Sequence, residues 1–179
     1  MNGVSRLVLL LGLAIAVLPP AAALELFGVN LESTNRDELS GAVKAAGVKL
    51  VRAGSGEQVF DVYDSSAVLA DSKRFYLGFA GEDQRFAFAE YEFNGLNTRA
   101  MLERLTTRYG AAEIRAGRFV SDRVYRWQQD GIDITLTGDW HNFKTRLSYV
   151  HPENLAALHA EQSTVTAAEE TTTEVTSFY

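Results

Sequence analysis

Few residues in this chain are able to do chemistry, and their spacing limits what they can do. Glu90 and Glu92 lie two apart in a segment that alternates like a strand, so both carboxylates fall on one face. Two carboxylates about 5–10 Å apart can carry glycoside hydrolysis, one as acid and the other as nucleophile or base. Solvated sheet faces often carry such pairs, so the pair names a chemistry without establishing it. Asp61 and Asp64 are the other strand or turn carboxylates considered. His141, His151 and His159 show no HExxH-type spacing. A zinc site needs three or four converging ligands, and no metal site is expected. Gly54-Ser55-Gly56 lacks the Gly-Lys-Ser/Thr that completes a phosphate loop, and Ser121 and Ser148 stand in no nucleophile motif. No catalytic residue is assigned and no cofactor is expected.

The aromatics raise a different possibility. Most of Phe86, Phe88, Tyr91, Phe93, Tyr125 and Trp127 are needed to fill a core. Trp140 and Phe143 lie in a loop-like stretch, Gly138 to Phe143, where they fit the anchors of a protein interface. Arg126, Lys144 and Arg146 supply a polar rim for them. These five residues are the candidate binding site.

The elements that must hold them follow from periodicity. Leu39, Ala42, Val43 and Ala46 repeat at helical spacing, after Asn35 with Glu38 three residues on, and before Gly47. This predicts a helix over Asn35–Ala46. Strands are expected at Val48–Arg52, Gln58–Tyr63, Ser72–Phe79 and Arg85–Phe93; the last carries aromatics on both faces, which leaves its buried face open. Asn97 caps a second helix, Thr98–Tyr109, closed by Gly110. Strands return at Val124–Gln128, Ile132–Thr137 and Thr145–Val150, the first two joined by the hairpin signal Asp130-Gly131. Leu26–Leu31 is an apolar lead-in. Pro152 starts a last helix, about Glu153–Ala160. From Gln162 Thr and Glu dominate, as in a disordered tail over 162–179.

The two halves echo one another. Val51-Arg52-Ala53-Gly54 matches Ile114-Arg115-Ala116-Gly117, and Val59–Asp64 matches Val120–Tyr125, a period of roughly 60 residues. The expectation is an α+β domain over 24–161. It would hold two α-β-β-β units, about 33–93 and 96–150, forming antiparallel sheet with helices packed on one face.

Composition bounds the function. Of 179 residues, 46% are hydrophobic and 22% charged, as in folded globular proteins. The net charge of −6, with basic residues scattered among acids, argues against nucleic acid. Arg6, the apolar run Leu7–Leu18, Pro19-Pro20 and Ala21-Ala22-Ala23 read as a secretory signal over 1–23. The expected location is periplasmic or secreted. With no cysteine there is no lipid attachment point, so no stable membrane anchor is expected after cleavage.

The segments Leu26-Phe27-Gly28-Val29, Thr34–Leu39 and Thr107-Arg108-Tyr109-Gly110 give the chain a resemblance to small periplasmic proteins built from tandem helix-plus-sheet modules. These are the β-lactamase-inhibitor-protein fold and the outer-membrane assembly lipoproteins of the SmpA/OmlA type. The lipobox cysteine of the latter is missing. The resemblance implies protein binding rather than catalysis. The expected function is a soluble exported interaction module, of accessory or inhibitor type, whose partner is another exported or envelope protein. The alternatives are a cell-wall glycan hydrolase using surface carboxylates, and a small-ligand carrier with an aromatic pocket.

Overall fold

A computed structural model describes residues 23–55, 58–115, 123–139 and 141–176, with side chains through 164. Residues 1–22, nearly all of the segment 1–23 expected to be a secretory signal, and Trp140 lie outside the described residues.

The chain is α+β. A small hairpin, β1 (Glu25–Leu26) and β2 (Val29–Asn30), precedes helix α1 (Arg36–Ala45). Four strands follow: β3 (Lys49–Arg52), β4 (Phe60–Asp64), β5 (Ser72–Ala80) and β6 (Arg85–Asn94). Helix α2 (Thr98–Tyr109) leads into β7 (Glu113–Arg115), β8 (Val124–Gln129), β9 (Ile132–Asp139) and β10 (Lys144–Val150). Helix α3 (Pro152–Thr176) closes the described chain.

β3 to β10 form one antiparallel sheet, in the order β3-β4-β5-β6-β10-β9-β8-β7. Each helix therefore leads into four strands; four strand segments are expected after the first helix but only three after the second, and the α-β-β-β unit counts one strand too few. The added strand β7 has three residues, and so short an edge strand offers too few positions for alternation to show. The echoed pairs Val51-Arg52 and Ile114-Arg115 fall on β3 and β7, the two edges of the sheet. The second echo is out of step with the pairing. Tyr63 faces Leu50 of β3 and Tyr125 faces Ile114 of β7, whereas the echo aligns Tyr125 with Asp64. Ala116, Gly117 and Val120–Asp122 lie outside the described residues.

α1 and α2 pack on one face of the sheet. Leu39 and Val43 of α1 and Leu105 of α2 join Phe75, Leu77, Tyr91, Trp127, Ile134 and Leu136 in a continuous core. The lead-in is a hairpin rather than a single strand, and it lays Phe27 edge-on to Phe75, with centroids 5.7 Å apart. Stacking of Phe75 on Tyr91 at 4.3 Å centres the cluster.

α3 lies on the opposite face, over β5 and β6, through Leu155 and Leu158 against Ala80, Ala87 and Phe88. Its packed part is the segment expected to be helical. Helical geometry then continues to Thr176, through the residues expected as a tail. At its start Ser163 and Thr164 donate to the i−4 carbonyls of His159 and Ala160.

The two-sided aromatics of β6 now have a cause. Gly78 faces Phe88 and Phe79 faces Phe86, which leaves Ala87 as an extra, bulged residue. Phe86 thus joins Ala89, Tyr91 and Phe93 in the main core, while Ala87 and Phe88 turn to α3. Both faces are covered at this end of the strand.

Local signals explain most element ends. Asn35 accepts from the Glu38 amide at 3.1 Å. Glu38 does not complete the box by reaching the Asn35 amide; its carboxylate accepts from the Thr34 hydroxyl at 3.0 Å. Asn35→Ala is expected to cost about 1 kcal/mol, measured as a lower denaturation midpoint with an unchanged slope. Asn97 makes no capping bond; its amide reaches the Asp71 carboxylate instead, at 3.5 Å. Asp130 and Gly131 take positive φ, 49° and 73°, as a two-residue hairpin requires. β9 runs through Gly138 to Asp139, so the expected loop is shorter by two residues.

Candidate functional site

With α1 and α2 on one face and α3 over the β5–β6 corner of the other, the rest of that second face carries no helix among the described residues. Its residues follow from the register. One row across the strands is Arg74 (β5), Glu92 (β6), Arg146 (β10), Thr137 (β9) and Val124 (β8). The next is Tyr76, Glu90, Ser148, Thr135 and Arg126. A third runs from Phe88 through Val150 and Asp133 to Gln128. The alternation that buries Tyr91, Leu147, Leu136 and Tyr125 on the helix side puts this polar set on the other.

The polar groups are organised by ion pairs between neighbouring strands. Lys144 Nζ lies 2.8 Å from Glu92, Arg146 Nε 3.8 Å from Glu90, and Arg126 Nη2 2.5 Å from Asp133. Thr135 and Ser148 hydroxyls are 3.1 Å apart. Asp133 Oδ1 is buried with no hydrogen-bond partner among the described residues. On the β4 side, Phe60 meets Tyr76 and Phe88 edge-on, at 5.9 and 6.1 Å, and Arg52 stands over the Phe60 ring.

Burial raises the Glu90 carboxyl above the usual carboxylate range; Arg146 opposes this and the Glu92 charge adds to it. Burial likewise raises the Tyr76 phenol, helped by Glu92 and Glu90 and opposed by Arg74 and Lys144. A raised folded value means that Glu90 contributes its full stability below its unfolded pKa. That contribution is lost as pH rises through the folded value. Glutamine does not titrate. The melting temperature of Glu90→Gln minus that of the wild type should therefore grow from acid to neutral pH. A gap that narrows over this range would contradict the assigned environment.

The five candidate residues divide. Arg126, Lys144 and Arg146 all lie on the open face, in ion pairs. Arg126 is two strands from β10, about 10 Å away, so the three form a broad field rather than a rim around one aromatic. Phe143 sits in the β9–β10 turn, next to Lys144 in the chain. It holds φ +51° and is 64% exposed. The turn is rigidly tied: the Asp139 carboxylate accepts from the amides of His141 and Asn142 at 3.1 Å and from the Asn142 side chain at 2.8 Å. The Gly95 amide donates to the Phe143 carbonyl at 2.7 Å. These bonds also lower the Asp139 carboxyl, those from Asn142 most. Trp140 falls outside the described residues.

Reading along the chain missed Arg74, Tyr76, Phe60 and Asp133 as members of this face. The pairing Ala80↔Arg85 sets Tyr76 opposite Glu90 once the Ala87 bulge is counted. The trace of the bulge in the sequence is Gly78, a glycine inside β5 at the register shift.

Among the described residues no group of three His, Asp or Glu is arranged to hold a metal ion, and no helix is long and apolar enough to cross a membrane. The face belongs to an α+β protein with one sheet face covered by two helices and the other mostly open. No family model and no curated protein matches the chain. Among solved structures it is similar to a DUF4309 family protein, YjgB, from Bacillus subtilis, at 12% identity and a TM-score of 0.44. The match covers 69% of this chain and 82% of that one and carries no argument about function.

Proposed function

We propose that this chain is an exported protein-interaction module, of accessory or inhibitor type, that binds another exported or envelope protein through its open sheet face. The observation that carries the reading is the uneven covering of the sheet. Thr, Ser, Glu and Arg side chains cross the paired strands on that face, and Phe143 stands exposed in the neighbouring β9–β10 turn. Preorganised faces of this kind bind at a low ordering cost. The resemblance to tandem helix-plus-sheet periplasmic proteins, and the signal-like leader, support the same reading. The test is a pull-down from a periplasmic extract with the mature chain as bait. A partner retained above control, and lost with Phe143→Ala, is expected. An extract that yields nothing above control overturns the reading.

One observation favours a second reading. Glu90, raised by burial, stands on the same face as Glu92, which Lys144 pairs. An acid raised by burial with a second carboxylate on the same face is one element of a glycoside hydrolase site. Glu90→Gln and Glu92→Gln that leave cell-wall glycan turnover unchanged would remove it.

A further inference from the structure

The sheet ends in two edge strands, β3 and β7, and they are built differently. Both expose apolar side chains: Leu50 and Val51 of β3 are 51% and 52% exposed, and Ile114 of β7 is 57% exposed. β3 carries devices that keep an edge from pairing. Its register with β4 shifts between Leu50 and Arg52, a bulge that leaves Val51 out of the ladder. Its ends are Lys49 and Arg52, so two antiparallel β3 strands would set Lys49 against Arg52 twice, and like charges directly opposite repel. β7 has neither device. Glu113, Ile114 and Arg115 pair in unbroken register with Arg126, Tyr125 and Val124, and all three side chains are exposed. Among the described residues no strand pairs with the outer side of β7.

We infer that β7 is a homotypic docking edge, to which a second copy of this chain adds its own β7, antiparallel, about a two-fold axis through Ile114. Three observations select that occupant. First, the strand is complementary to itself. Run against its own sequence, Glu113 faces the second copy's Arg115, and Arg115 the second copy's Glu113. Within one chain Arg115 Nε lies 3.1 Å from the Glu113 carboxylate, and the side chains are 60% and 61% exposed. Two copies therefore set their charges in an alternating ring, the favourable cross-strand arrangement. Second, Ile114 lies opposite Tyr125, on the side of the sheet that carries α1 and α2. At the axis the two Ile114 side chains face each other, with Cβ atoms about 5 Å apart, and cover the apolar surface each leaves exposed. Third, the symmetry closes. A β7-to-β7 contact stops at two copies, whereas β3 on β7 leaves a free edge at each end and grows without limit. The bulge and the basic ends of β3 oppose that growth. Three residue pairs make a small interface, so the dimer is a weak one, with dissociation at roughly 10 µM to 1 mM. The axis stands perpendicular to the sheet, so the open faces of the two copies turn to the same side.

The test is sedimentation equilibrium of the mature chain up to about 1 mM, where a reversible monomer–dimer equilibrium is expected. Glu113→Arg and Arg115→Glu each set like charges opposite one another twice, and each should weaken the dimer by about tenfold or more. An unchanged circular-dichroism spectrum checks that both variants fold. Glu113→Arg/Arg115→Glu in one chain restores both opposite-charge pairs and should restore the dimer. Mixing the two single variants should give a one-to-one heterodimer, although neither pairs with itself. A chain that stays monomeric to about 1 mM overturns the inference. So do single variants that associate like the wild type, a mass that climbs past the dimer, or failure of both the double exchange and the mixture to associate.

Discussion

Asp61→Ala should lower the stability of the chain by about 3 kcal/mol, the scale for breaking a buried ion pair by removing one partner. Asp61 is 3% exposed on β4. One carboxylate oxygen takes both Arg36 from the start of α1 and the Gly54 amide at 2.7 Å; the other is 3.4 Å from the Tyr63 hydroxyl. The residue thus joins the first helix, the β3–β4 connection and the sheet. Alanine leaves the part-buried Gly54 amide without that acceptor and Arg36 without its anion. Arg36 keeps the Gln84 side chain at 3.2 Å and its place over the Phe79 ring, and it is part-exposed, so the loss stays at the low end of the range. For a domain of this size the melting temperature should fall by roughly 10 °C. Asp61→Asn keeps an acceptor for Gly54 and should lose less. If Asp61→Ala melts within a degree or two of the wild type, the cluster does not hold α1 to the sheet.

Gly78→Val should cost about 3 kcal/mol, at the upper end for overpacking. A Cβ at position 78 would stand 2.1 Å from Cε1 of the Phe88 ring. That ring cannot simply swing aside. It lies between Phe60 and the Leu155–Leu158 surface of α3. Displacing Phe88 therefore also loosens α3, which is tied here by Asn154 to the Phe86 carbonyl at 2.8 Å and by the His151 amide to Ala87 at 2.9 Å. Two measurements separate packing from backbone effects. In the double mutant Gly78→Val/Phe88→Ala the clash is gone, so the two costs should be strongly non-additive. Amide exchange of α3 should accelerate in Gly78→Val alone. Additive costs, or α3 protection equal to the wild type, would rule out the ring–glycine contact as the reason for this glycine. The result bears on the open face as well, because α3 marks where the covered corner ends and the open surface begins.

Local chemistry made much of the fold legible in the chain. Asn35 and Glu38 marked α1, Asp130-Gly131 marked the β8–β9 hairpin, and alternation in Ile132, Ile134 and Leu136 marked a half-buried strand, because each signal acts within a few residues. The polar field was legible only in part. Glu90 and Glu92 were visible as a same-face pair, and Arg126, Lys144 and Arg146 as basic residues near aromatics. Their meeting on one face was not, since it depends on β10 pairing with β6 across some fifty intervening residues.

By itself the sequence determined the α+β class, the order of helices and long strands, and the chemical types available for a site, because periodicity and turn preference are properties of neighbouring residues. Only the tertiary structure decided the rest. It joined the two halves edge to edge between β6 and β10, placed α3 opposite α1 and α2, and used a bulge at Ala87 to send Phe86 and Phe88 to different faces. The physical reason is that a strand's alternation names two faces without saying which is covered. That choice belongs to whatever apolar surface is left to pack against it, and here α1, α2 and α3 make it from opposite sides.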